Sequence, residues 1–179
     1  MNDAPAHNTA MADGFKEHYS DLKRMASARV YNESAGWAIN PTALVNECFL
    51  KLNAVGTLEN SQRTSFLAYA SRTMRSIIVD IARAELAQRR GGGATVVVLD
   101  TMLANSLPDD AGGNSTDALA IDQALDAMED TDPRLARVVE LRYFAGMTFS
   151  EVAEVLGVTE RTVERDWAKA RMLLMSMLS

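Results

Sequence analysis

The chain has 179 residues, 47% of them hydrophobic, which is enough for one domain or two small domains to fold without covalent staples. Its one cysteine, Cys48, excludes an intramolecular disulfide, fits a reducing, cytoplasmic setting and is expected in the core. No apolar run is long enough to span a bilayer, and the polar N-terminus lacks a signal pattern, so we expect no membrane association.

The charge is unevenly distributed along the chain. The net charge of −6 argues against nucleic-acid binding, but residues 93–132 hold nine acidic side chains and no basic one. In residues 61–92 the arginines outnumber the acidic residues, which are Asp80 and Glu85. Because local charge decides the attraction of phosphates, this basic stripe predicts nucleic-acid contact, with a modest affinity that a partner supplements. Its members are Arg63, Arg72, Arg75, Arg83, Arg89 and Arg90.

The first part of the chain has the apolar spacing of helices. Asn40 and Pro41 mark a helix start, with asparagine as N-cap and proline in the first helical position. Gly56 ends that helix, and a polar loop follows over Leu58–Arg63. A long helix is predicted from Thr64 to about Gln88.

The middle of the chain has the composition of a linker. Gly91, Gly92 and Gly93 end the first helical part, and no Lys-Ser/Thr follows them as in a phosphate loop. Asp132 and Pro133 mark another helix start. The predicted fold is all-α: a disordered tail (1–13), two small helical domains (14–92 and 118–179), and a flexible acidic linker (93–117).

Residues 147–171 have the pattern of two capped helices joined by a turn. Thr148 and Glu151 form a capping box, Gly157 ends the first helix, and Thr159 caps the second. Val163, Trp167 and Ala170 fall on one buried stripe. This arrangement is typical of a helix-turn-helix that places its second helix in the major groove; a solvated helix in an all-helical core is the alternative. The exposed face carries the candidate DNA contacts Glu160, Arg161, Thr162, Glu164, Arg165 and Lys169.

Residues for catalysis or metal binding are few. The histidines are His7 and His18, and with one cysteine they cannot form the usual structural zinc set. No nucleophile elbow, Walker loop or paired-carboxylate motif is present. We therefore predict no enzyme activity, no catalytic residue, no metal and no cofactor.

Three segments together resemble extracytoplasmic-function (ECF) sigma factors of bacterial RNA polymerase, over about residues 14–178. They are PTALVNECFLKL, FLAYASRTMRSIIVDIARAELAQRRGGG and LRYFAGMTFSEVAEVLGVTERTVERDWAKARMLL. The resemblance implies a transcription initiation factor in the cytoplasm, whose partners are core RNA polymerase and promoter DNA. It also implies control by an anti-sigma factor or by a Ser/Thr protein kinase.

The resemblance implies two DNA-reading modules. The helix from Glu160 would read the −35 element through the exposed face described above, with Arg161, Arg165 and Lys169 as phosphate and base candidates. The first module would open the −10 element, where a flipped base needs a pocket and stacking partners and the strand needs cations. The candidate residues for −10 binding are Asn60, Arg63, Phe66, Tyr69, Arg72 and Arg75. For the two aromatic residues among them, Phe66 and Tyr69, packing in the core is the alternative role.

The helix at 40–52 matches the family's docking surface for the clamp of polymerase. Many relatives carry an Asp-Ala-Glu-Asp run at its start, whereas this chain has Asn-Pro-Thr-Ala, so docking is expected to be weakened. Some relatives that lack these acids are activated by a Ser/Thr kinase. Thr42 stands where a carboxylate would be, and phosphorylation would restore negative charge there. The alternative is that Thr42 is only a tolerated residue of the first helical turn; Thr64 and Thr57 are weaker acceptors. The polymerase-binding candidates are Asn40, Thr42, Leu44, Asn46 and Glu47.

Two other classes of protein fit parts of the sequence. A stand-alone helix-turn-helix regulator would have a similar C-terminal part, but it would act as a dimer without core polymerase. A pure interaction protein would use the helix-turn-helix as a scaffold, which the basic stripe and the exposed cations count against. Promoter-dependent transcription with core polymerase separates these classes.

Overall fold

The computed structural model describes residues 15–30, 39–55, 63–89 and 115–178, which form helices and short connections with no strand among them. The predicted all-α class is confirmed. The predicted tail, the glycine run and most of the predicted linker lie outside the described residues. The helices are α1 (Tyr19–Val30), α2 (Pro41–Val55), α3 (Arg63–Arg89), α4 (Ser115–Thr131), α5 (Pro133–Val139), a π-helical turn (Glu140–Phe144), α6 (Phe149–Leu156) and α7 (Glu160–Leu178).

The two helix starts predicted from Asn-Pro and Asp-Pro pairs are confirmed. The Asn40 side-chain oxygen accepts the backbone N–H of Ala43 at 2.9 Å, and the Asp132 carboxylate accepts that of Leu135 at 3.2 Å. In each case the following proline occupies the first helical position, where its missing N–H leaves no donor unsatisfied. These caps fix where α2 and α5 begin.

Helices α1, α2 and α3 pack side by side around one apolar core. Leu22, Leu44 and Met74 lie fully buried within it. Cys48 is also fully buried, as predicted, and burial raises the pKa of its thiol to about 12. The thiol therefore stays protonated and acts as a small core side chain.

Helix α3 begins one residue earlier than predicted, at Arg63, which the sequence pattern had placed in the preceding loop. Its guanidinium donates to Asp21 on α1, with Nε 3.0 Å from Oδ2. This hydrogen bond raises the pKa of Arg63 and lowers that of Asp21. The pairing with α1 holds Arg63 in the first turn of α3, which is information that the local sequence does not contain.

The helices of the C-terminal part pack directly on α3. Helix α4, which begins inside the predicted linker, lies along α3, and the π-helical turn and α6 also contact α3. Phe144 in the π-helical turn is fully buried at this junction. None of the helices in the described ranges is long and apolar enough to cross a membrane.

Candidate nucleic-acid interface

The segment between α6 and α7 has the caps that the sequence predicted. The Thr148 hydroxyl accepts the N–H of Glu151 at 3.2 Å, while the Glu151 carboxylate accepts the N–H of Thr148 at 2.8 Å. Gly157 closes α6 with φ of +65°, a left-handed conformation that glycine adopts without a Cβ penalty. Thr159 then caps α7 by accepting the N–H of Thr162 at 3.3 Å. These contacts fix the turn between the two helices.

Helix α7 is held by its inner face. Val163, Trp167 and Ala170 are buried, as predicted. The Arg142 guanidinium lies 4.3 Å from the centre of the Phe149 ring and 5.5 Å from that of the Trp167 ring, which joins α6 to α7. Because these contacts hold the inner face of α7 against the protein, they also fix the direction in which its outer face points.

A second contact ties α7 to α5. The Arg134 guanidinium forms two short contacts with the Asp166 carboxylate, at 2.8 and 3.1 Å, and the Asp166 side chain is almost fully buried. A buried carboxylate is stable only when it is paired, so this ion pair fixes the position of α7 along α5.

The outer face of α7 carries the −35 candidates. Five of them are exposed, while Thr162 is half-buried, with its hydroxyl 2.9 Å from that of Thr159. The Arg165 side chain is 64% exposed, and among the described residues its charge contact is a weak one, 4.0 Å from Asp166. Such a side chain can reach a base edge without first losing a strong partner. The exposed candidates are Glu160, Arg161, Glu164, Arg165 and Lys169.

The described −10 candidates on α3 divide into buried and surface residues. Phe66 is buried, with its ring centre 5.1 Å from that of His18, so this structure favours the core-packing alternative for it. Tyr69 is half-buried and Arg72 is exposed. Asn60 lies outside the described residues.

The two remaining −10 candidates, Arg63 and Arg75, are bound to carboxylates of the C-terminal part. The Arg75 guanidinium lies 2.7 Å from Asp122 Oδ1 and 2.6 Å from Asp126 Oδ1, both on α4. Arg63 Nη1 lies 3.0 Å from Glu154 Oε2 on α6. In this conformation the two arginines already hold anionic partners.

The predicted polymerase-binding surface lies on α2. Asn40, Thr42, Asn46 and Glu47 are exposed, whereas Leu44 is fully buried and cannot contact a partner in this conformation. The first turn of α2 carries no acidic residue, so the N-terminal end of this helix has no carboxylate near it in sequence.

Sequence reasoning missed the residues that join the two parts of the chain. Arg29 on α1 is fully buried and donates to the Tyr143 hydroxyl at 3.0 Å, while its guanidinium stacks 4.3 Å from the Tyr143 ring centre. Asp122, Asp126 and Glu140 bind α3. The spacing of Asp122 and Asp126 placed both on one helix face, which was an available signal. Nothing in the local sequence indicated the π-helical turn that directs Glu140 and Tyr143 toward α3 and α1.

The described fold is all-helical, and its last two helices, α6 and α7, are joined by the short capped turn described above. The family model described as ECF sigma factor matches residues 6–179, so the chain belongs to the ECF sigma factor family. It is accordingly a DNA-binding sigma factor of transcription initiation that recognises promoters. No curated protein and no solved structure matches the chain.

Proposed function

We propose that this sigma factor binds core RNA polymerase through α2 and directs it to promoters by reading the −10 element with α3 and the −35 element with α7. The observation that supports it most strongly is that the two faces of α7 differ. Its inner face is buried against the protein through Trp167 and Asp166, and its outer face exposes Arg161, Arg165 and Lys169 to solvent. A rigid helix with exposed cations is the usual element for major-groove reading.

The test is transcription in vitro with core polymerase and a pool of genomic fragments. The chain is expected to produce discrete transcripts that core polymerase alone does not make, and to bind core as a monomer. A stand-alone regulator would instead bind DNA as a dimer and give no transcripts with core alone, and that result would refute the proposal. An interaction protein would bind neither core nor DNA.

The docking surface on α2 suggests how polymerase binding is controlled. Its first turn lacks the carboxylates expected from the family resemblance, and the exposed Thr42 occupies this turn. Phosphorylation of Thr42 would add a charge of about −1.5 to −2, which the N-terminal end of a helix favours. We infer that a Ser/Thr kinase increases polymerase binding through Thr42, while an anti-sigma factor remains the other form of control.

Thr42→Glu is expected to bind core polymerase more tightly than the untreated wild type, because it supplies part of the missing charge. Thr42→Ala should bind as the untreated wild type does and should not respond to kinase treatment. Affinity is measured with labelled sigma factor and core polymerase. Thr64→Ala is the matched control, since it removes a half-buried hydroxyl of α3 and should keep the response to kinase. Equal, strong binding by untreated wild type and Thr42→Ala would exclude the switch.

A further inference from the structure

Two rows of opposite charge run side by side on the outer face of α7. Arg161, Arg165 and Lys169 follow one another at steps of four residues and form the basic row. Glu160 and Glu164 form a shorter acidic row next to it, and both side chains are exposed. The face that the proposed function turns toward DNA thus carries two carboxylates, although the closely spaced phosphates of DNA repel them.

The fold explains the first of these carboxylates but not the second. Glu160 lies in the first turn of α7, where the positive end of the helix favours an acidic side chain. Glu164 lies one turn further on, and within the described ranges its carboxylate has neither a hydrogen bond nor an ion pair. It also follows Glu160 by four residues, a spacing at which like charges on a helix repel. The Glu164 carboxylate therefore stabilises no contact of the described fold.

The position of Glu164 on α7 is one from which bases are read. In a helix-turn-helix, residues near the N-terminal end of the second helix contact base edges. Glu164 is the fifth residue of α7 and directly precedes Arg165. Val163 and Trp167, on the inner face, are buried, which fixes the rotation of α7 about its axis. The Glu164 carboxylate is therefore held on the exposed side of the helix.

A carboxylate in the major groove can bind only a donor, because it accepts hydrogen bonds and donates none. Guanine and thymine present acceptors there, which repel a carboxylate, whereas cytosine presents its N4 amino group as a donor. Adenine presents an amino group beside the N7 acceptor, a pair that matches an amide better than a carboxylate. Cytosine is therefore the base whose edge matches Glu164.

We propose that Glu164 is a specificity-determining residue and selects a cytosine in the −35 element by accepting a hydrogen bond from its N4 amino group. The inference rests on the proposed function, which places α7 in the major groove of that element. The carboxylate binds cytosine, and it also excludes guanine and thymine, since either base would leave a charged acceptor facing another acceptor. The neighbouring Arg165 has the opposite preference, because a guanidinium donates to guanine O6 and N7.

Selection from a promoter library tests this assignment. Promoters that the chain transcribes in vitro with core polymerase are made with randomised −35 bases, and those bound by the complex are sequenced. Glu164→Gln and Glu164→Ala are compared with wild type in the full chain. Glu129→Gln is the matched control, since it removes the same charge from an exposed position on α4. Circular dichroism confirms that each variant is folded.

Wild type and Glu129→Gln are expected to favour cytosine at the same position of the −35 element, by about 5- to 150-fold over guanine or thymine. Glu164→Ala should lose that preference and keep those at the other positions. Glu164→Gln should change it to adenine, because an amide pairs with the N6 and N7 groups of adenine. A merely structural role of Glu164 would not exchange one preferred base for another.

Unchanged base preferences in both Glu164 variants, with only a general gain in affinity, would overturn the proposal, since the carboxylate would then lie near phosphates and not near a base. Loss of a preferred base other than cytosine in Glu164→Ala would overturn it too, as would the same change in Glu129→Gln. A wild-type chain that gives no promoter transcripts with core polymerase would refute the proposed function, and this inference with it, so the two failures are distinguishable.

Discussion

Phe144→Ala is expected to lower the free energy of unfolding by about 3–5 kcal/mol, the usual loss when a buried phenylalanine is truncated. Phe144 is fully buried, and its ring stands edge-on to that of Tyr143 with centres 5.0 Å apart. It lies in the π-helical turn that contacts α3, so the cavity would open where the two parts of the chain meet. Urea unfolding followed by circular dichroism measures the change.

Phe149→Ala is the control for this prediction. Phe149 is half-buried: its ring packs against the edge of the core and is partly covered by the Arg142 guanidinium. Its truncation removes less buried surface, so we expect a clearly smaller loss of stability than for Phe144. Equal losses for the two variants would show that Phe144 is not a principal element of the core.

Arg165→Ala is expected to weaken promoter binding by the polymerase complex by about 1–3 kcal/mol, which is roughly 5- to 150-fold. The physical reason is loss of a guanidinium that can donate two hydrogen bonds to one base. The loss should be confined to promoters with the preferred base pair in the −35 element. Competition binding on promoters altered one base pair at a time measures this.

Lys169→Ala gives the comparison for Arg165. A lysine that contacts phosphate carries no sequence information, so its loss should weaken every promoter similarly and reduce the dependence of affinity on salt. If Arg165→Ala also weakens all promoters equally, Arg165 contacts the backbone and not a base. If it weakens none, α7 does not read DNA through this side chain.

The parts of the fold that depend on local chemistry could be predicted from the sequence. The capping box of Thr148 and Glu151 and the left-handed Gly157 follow from backbone donors and φ angles within a few residues. The buried stripe of α7 followed from helical spacing. These features need no knowledge of distant residues, and all of them are confirmed.

The partners of charged residues could not be predicted in the same way. The pattern marked Arg63 and Arg75 as cations available to phosphates, and both are paired in the structure with residues far away in the chain. Phe66 shows the same limit, because aromatic residues suit both a stacking surface and a core. Which of these roles is realised depends on tertiary packing. The DNA and polymerase contacts of the named residues therefore remain predictions.

The carboxylates around Arg75 also bear on how this sigma factor is distributed in a cell. A genome offers about 10⁶–10⁹ non-specific sites that compete for any exposed cationic surface. With Asp122 and Asp126 bound to Arg75, the part of that attraction that Arg75 would supply is satisfied within the chain, while Thr42 and Asn46 on α2 remain at the surface. Non-specific attraction to DNA is then left to the exposed cations, among them Arg72 on α3 and Arg161, Arg165 and Lys169 on α7.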